Sequence, residues 1–137
     1  MIESGGELRA KKISTVSAKT LKTFIHENAD KSANLRTDEF RSYAGLDKEF
    51  ASHKAVHHGF GEYVNDDVHT NTSEGWFSLL KRGVNGTFHH VSDKHLDRYV
   101  DEFVFRYNNR KISDSNRAIE AIKKVVDKRL TYKTINY

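Results

Sequence analysis

The sequence has no cysteine and no proline. Without cysteine there is neither a disulfide framework nor a cysteine-ligated zinc site, and the composition suits a reducing compartment. Without proline, and without a Gly/Ser-rich linker, low-complexity tract or internal repeat, nothing divides the chain, so one domain over residues 1–137 is expected. No run approaches the ~20 consecutive apolar residues of a membrane span, and the N-terminus lacks the apolar stretch of a signal peptide. A cytoplasmic protein with no membrane partner is the expectation.

What is present is a modest core and a positive charge. Hydrophobic residues make up 36% of the chain, enough for a globular domain of this length. Lys and Arg number 23 against 19 Asp and Glu, giving a net charge of +4, which permits binding to a polyanion without requiring it.

The hydrophobic pattern mixes two periods. Residues 7–16, ELRAKKISTV, partly alternate and predict a strand. Ser17 predicts an N-cap for a helix ending near Asp30, with Leu21, Phe24 and Ile25 at helical spacing. Residues 34–40, NLRTDEF, predict a strand with Asp38 toward its C-terminal end. A short helix over 41–50 and a strand or irregular hairpin over 55–64 follow. Ser92 predicts the cap of a helix running to about Asn108 on Leu96, Tyr99, Val100, Phe103 and Tyr107. A last helix over 114–130 has Ile119, Ile122, Val126 and Leu130 as its apolar seam. Strands followed by helices in this order argue for a layered α/β or α+β fold.

Between these lies HTNTSEGWFSLLKRG, residues 69–83, which opens like a helix near Thr70 or Thr72 and ends on glycine. At 100° per residue Glu74 and Lys81 are nearly eclipsed, and Asn71 lies one turn before Glu74. Trp76, Phe77, Leu79 and Leu80 form the apolar remainder. An aligned polar face is ordinarily a solvated stripe. Asp38 changes the weighing, because 35 residues separate an acid at a strand end from an acid on a helix. Phosphodiester chemistry with divalent metals needs hard oxygen ligands converging from separate elements, and Mg²⁺ takes one or two carboxylates while keeping water or substrate oxygens. The histidines offer a competing zinc site through His53 and His57 and the doublets His57-His58 and His89-His90. The segment around His53 does not read as a regular helix, which weakens that idea. Tyr99, Phe103, Phe105 and Tyr107 could stack on bases, but their helical spacing reads as core.

The run VHTNTSEGWFSLLKRGVNGTFHHVSDKHLDRYVDEFVFRYNNRK, residues 68–111, together with TDEFRSYAGL at 37–46 and GEYV at 61–64, resembles the ISXO-like transposases of bacterial insertion sequences. These belong to the DDE class, which has a ribonuclease-H-like core. The resemblance implies an α/β fold with a ribonuclease-H-like mixed sheet flanked by helices. It also implies DNA strand cleavage and transfer with Mg²⁺ or Mn²⁺ as cofactor. Carried residue by residue, Asp38 resembles the second catalytic aspartate and Glu74 the third acid. Asn71 is a rival for that third position. Lys81 resembles the basic residue that touches a DNA phosphate, Arg82 accompanies it, and His69 before the same helix would orient a ligand or bind DNA. Double-stranded DNA, as transposon ends and as target, is the implied partner.

One departure shapes the expectation. The family pattern places a first aspartate on an opening strand upstream of ELRAKKISTV, where this sequence has only Met1, Ile2, Glu3, Ser4 and two glycines. The resemblance therefore implies an N-terminally truncated domain lacking its first strand and inactive in cleavage. The open sheet edge would invite pairing, including as a homo-oligomer. The alternative is a non-catalytic DNA-binding or self-associating remnant of a transposase.

Overall fold

The computed structural model describes residues 1–56 and 70–128, with the side chains of Thr70 and Asn71 excepted. Among these residues, four α-helices and two strands follow the order α1 (Ala18–Asn28), β1 (Asn34–Asp38), β2 (Ser52–Val56), α2 (Thr70–Arg82), α3 (Leu96–Asn108) and α4 (Asp114–Val125). The expected strand beyond Val56, with His57, His58, GEYV and His69, lies outside the described residues, as does Leu130.

Helix α1 starts where the cap signal placed it. Ser17 is extended, and its Oγ accepts the Thr20 backbone N–H at 3.1 Å, satisfying a donor that the first turn leaves over. Past the helix, Asp30 Oδ1 accepts from the Ser32 N–H at 2.8 Å and from the Ser32 hydroxyl at 2.7 Å, turning the chain into β1. The backbone N–H of Ser32, and then its hydroxyl, hold the Asp30 carboxyl below its ordinary value.

Strands β1 and β2 pair in parallel, in register from Asn34 with Ser52 to Asp38 with Val56. Exposure alternates along β1, so Leu35 and Thr37 turn inward while Asn34, Arg36 and Asp38 turn outward. The helix expected over 41–50 is instead two 3₁₀ turns, Arg41–Tyr43 and Leu46–Lys48. Gly45 separates them at φ 86°, a left-handed conformation that ends one turn and aims the next inward. Leu46 is thereby fully buried and joins Ile25 and Phe50 in a small core, against which Leu35 and Tyr43 pack.

A second core joins Leu8, Trp76, Val100 and Phe103, flanked by Leu80, Phe88, Leu96 and Tyr107. Each such side chain contributes about 1.5–3 kcal/mol when removed from water. Val100 and Phe103 are buried on α3 as their spacing predicts. The α-helix begins later than expected. Ser92 makes no side-chain cap bond, and a 3₁₀ turn over Asp93–His95 precedes Leu96. After α2 the chain widens into a π-helical turn, Gly83–Thr87, from which Phe88 meets Tyr99 edge-on at 4.6 Å.

Two further expectations are corrected. The strand predicted over 7–16 is reduced to a single bridge between Ile2 and Leu8. The Leu8 peptide is satisfied by a side chain: its N–H donates to Asn108 Oδ1 at 2.8 Å, and its carbonyl accepts from Asn108 Nδ2 at 3.0 Å. Helix α4 stops at Val125, because Val126 leaves helical backbone and Asp127 is left-handed at φ 61°. Its apolar seam does not enter the core: Ile119, Ile122 and Val126 are exposed, and no residue of α4 is buried. Of its polar side, Lys124 Nζ lies 5.0 Å from the centre of the Phe105 ring, and Arg117 donates to the Asn109 and Ile112 carbonyls of the preceding connection. Helices with a parallel strand pair fit the expected α/β class.

Candidate functional site

Asp38 is the last residue of β1 and is exposed. It stands at the carboxyl end of a parallel strand, the side of an open α/β sheet on which ligands are bound. Local bonds fix it. Its Oδ1 accepts the Phe40 backbone N–H at 3.1 Å, and its own carbonyl accepts the Thr37 hydroxyl at 2.7 Å. Thr37 Oγ1 also lies 2.9 Å from His53 Nε2, so this imidazole ties the strands together.

Tyr43 belongs to this neighbourhood, although sequence reasoning assigned it no role. Burial, and secondarily the negative charge of Asp38, push its phenol above the ordinary value, so it stays protonated and able to donate. Phe40 meets it edge-on at 6.2 Å. The signal was available in TDEFRSY, where a phenol follows the acid by five residues, but only the 3₁₀ turn brings the two together.

Helix α2 carries the other group. Its continuity from Thr70 to Arg82 confirms the geometry read from the sequence: Glu74 and Lys81 share a face, about 10 Å apart along the axis. Both are exposed. Trp76, on the opposite side, is 4% exposed and anchors the helix in the core. Phe77 and Leu79, expected on the buried side, are 54% and 42% exposed, so the anchor is narrower than the sequence suggested. Lys81 and Arg82 occupy the last turn, where positive charge also complements the helix dipole. Asn71 lies within α2, one turn before Glu74.

Asp38 and Glu74 are thus supported by different cores, Asp38 through Leu35 and Tyr43 and Glu74 through Trp76. Among the described residues, no three His, Asp or Glu side chains converge closely enough to hold a metal ion. His89 and His90 are exposed, with His89 in left-handed backbone at φ 58°. The donor chemistry suits a hard cation: two exposed carboxylates on separate elements are the number that Mg²⁺ takes while keeping its remaining positions for water or substrate. No helix among the described residues is long and apolar enough to cross a membrane.

A protein in the transposable element ISH50 of Halobacterium salinarum, itself uncharacterized, is 37% identical over 87 residues, which is 63% of this chain and 29% of that protein. An uncharacterized transposase-like protein of Haemophilus influenzae is 27% identical over 100 residues, covering 73% of this chain and 80% of that protein. The chain therefore matches less than a third of the length of the halobacterial relative. No solved structure matches it. The sequence profile of the ISXO2-like transposase domain matches residues 1–108, a span that runs through both strands, α2 and the whole of α3. On that match the chain belongs to the ISXO2-like transposase domain family.

Proposed function

We propose that this chain is the DNA-handling part of a transposase with a ribonuclease-H-like core, in which Asp38 and Glu74 hold Mg²⁺ or Mn²⁺. Lys81 and Arg82 bind duplex phosphates, and the 137 residues alone bind DNA without cutting it. The observation that carries this reading is the exposed face of α2, where an acid and a base stand in line over a buried tryptophan. When bound, the ion would polarise a phosphodiester and lower the pKa of an attacking water. The residues have separable tasks. Asp38 and Glu74 supply acceptor oxygens. Lys81 and Arg82 neutralise the backbone charge that two carboxylates would otherwise repel. Asn71, one turn before Glu74, is the alternative third ligand through its amide oxygen, and His69 just before α2 would add a DNA contact.

Two carboxylates hold a pair of metal ions poorly, which is why binding without cleavage is proposed for the isolated chain. The test uses the purified chain, a labelled transposon-end duplex, and Mg²⁺ or Mn²⁺. Binding that weakens steeply with salt is expected, with no strand cleavage or transfer. Lys81→Ala should weaken binding about equally for all sequences and make the log-log salt slope shallower by about one. Glu74→Gln should leave affinity unchanged or slightly higher. Cleavage or strand transfer abolished by both Asp38→Ala and Glu74→Gln would show that these 137 residues are catalytically sufficient, overturning the binding-only reading.

A further inference from the structure

The hydrogen bonds around Asp38 have directions that follow from counting hydrogens. A threonine hydroxyl has a single hydrogen to give. That of Thr37 goes to the Asp38 carbonyl, 2.7 Å from Oγ1. The same Oγ1 lies 2.9 Å from His53 Nε2, so in that contact the hydroxyl can only accept and the imidazole must donate. The relay therefore runs one way, from His53 Nε2–H to Thr37 Oγ1 and from the Thr37 hydroxyl to the Asp38 carbonyl. In a neutral ring this places the hydrogen on Nε2 and leaves Nδ1 bare.

The strand register brings the imidazole to that place. His53 pairs with Leu35 and Thr37 with Ala55, so His53 and Thr37 stand on one face of the parallel pair, on neighbouring strands and offset along them. Ala55 sets only a methyl group beside Thr37, which leaves the imidazole room to lean along the strand. On the side chain of Asp38, Oδ1 accepts the Phe40 N–H at 3.1 Å, while Oδ2 has no hydrogen bond among the described residues. The peptide that follows the Asp38 Cα is thus held by one bond and the carboxylate by another. One oxygen is left to offer.

We infer that His53 is a positioning residue for Asp38: through Thr37 it holds the peptide from which the carboxylate projects, so that Oδ2 alone is presented to a cation. This rests on the reading of Asp38 as a metal ligand. A side chain already held loses less freedom when it binds, so bonds that never touch the ion raise its affinity. The experiment measures Mn²⁺ binding to the full chain by water-proton relaxation, with Asp38→Ala as the reference for loss of the ligand. His53→Leu and Thr37→Val should each weaken binding about three- to tenfold, and the double variant no further than either alone, because both break one relay. His53→Gln, whose amide nitrogen can donate from about the same place, should keep the parent affinity. Ser52→Ala is the structural control: it removes a 2.6 Å bond to Asn34 at the far end of the same strand pair, and should lower Tm as His53→Leu does without changing Mn²⁺ affinity. Nitrogen NMR of the parent in mildly alkaline buffer should show the His53 hydrogen on Nε2. If Asp38→Ala weakens Mn²⁺ binding and His53→Leu does not, the inference falls while the metal site stands. A hydrogen on Nδ1 instead, or an equal loss of affinity in Ser52→Ala, also overturns it. A parent chain that takes up no Mn²⁺, or binding indifferent to Asp38→Ala, removes both the ligand and the role of the residue that positions it.

Discussion

Gly83 closes the LLKRG motif, and its replacement by alanine is the sharpest single test of the α2–α3 packing. A Cβ built on Gly83 would lie 2.1 Å from Phe103 Cζ and 3.0 Å from both Cε atoms. Ordinary contact begins near 3.4 Å, so the ring or the backbone must retreat by about 1.3 Å. Phe103 cannot do so freely, because it is 8% exposed and packed with Leu8, Trp76 and Val100. Against this stands the usual gain of about 0.5–1 kcal/mol when a helical glycine becomes alanine. Overpacking of a close-packed interior costs about 1–3 kcal/mol, and a clash with an aromatic ring lies toward the upper end. The clash therefore wins, and Gly83→Ala should lower Tm by about 4–10 °C. Gly75 supplies the control: it lies inside α2, and a Cβ there meets nothing within 4 Å. Gly75→Ala should stabilise by about 0.5–1 kcal/mol. Thermal melts of both variants decide the matter, and Gly83→Ala/Phe103→Leu should recover part of the loss by vacating the ring's space. A Gly83→Ala protein as stable as the parent would refute the packing argument.

Asn108→Ala should destabilise by about 1–3 kcal/mol, since it strips both hydrogen bonds from the half-buried Leu8 peptide; urea unfolding would measure it, and Asn108→Leu should be no better despite its matching size. Glu49 bonds Lys22 Nζ at 3.0 Å and His26 Nε2 at 2.6 Å, and Lys22, then His26, hold its carboxyl below the ordinary value of 4.5. A depressed carboxylate contributes stability that is present above the unfolded value and is lost as pH falls through the folded one. Acid unfolding followed by circular dichroism should therefore show Glu49→Gln losing its deficit relative to the parent below about pH 4.5, and an equal deficit at all pH values would dismiss the linkage. Gly75→Ala also probes function, because a methyl group beside Glu74 narrows the approach to the α2 face: tighter folding with weaker DNA binding is the expected pairing, measured by melting and by anisotropy of a labelled duplex.

Much of this was legible because local chemistry decided it. Ser17, the Leu21–Ile25 spacing and the α3 residues Val100 and Phe103 specify helices by capping and period, and the structure follows them. Glu74 and Lys81 needed only that 70–82 be helical. What failed was decided by distant partners. ELRAKKISTV has the alternation of a strand, but the residue that satisfies Leu8 is an asparagine side chain 100 positions away. The seam of α4 reads as core by every local rule, yet Ile119 and Ile122 are exposed in the structure. The terminal glycine of LLKRG reads as a helix stop, yet its φ is not left-handed, and its reason is the ring of Phe103. Tyr43 became visible as a neighbour of Asp38 only once the helix expected over 41–50 proved to be two 3₁₀ turns.

The division of the interior into two clusters has a consequence for motion. Among the described residues, Ile25, Leu46 and Phe50 form one nucleus of buried side chains and Leu8, Trp76, Val100 and Phe103 another, and clusters of this size are expected to open by fluctuations short of global unfolding. Opening the first loosens the strand that ends at Asp38, while the anchor of Glu74 stays closed. The proposed ligand pair would then come apart one carboxylate at a time. A bound cation bridging the two acids would couple openings that are otherwise independent, and amide exchange in β1 and α2 would slow together when the metal is added.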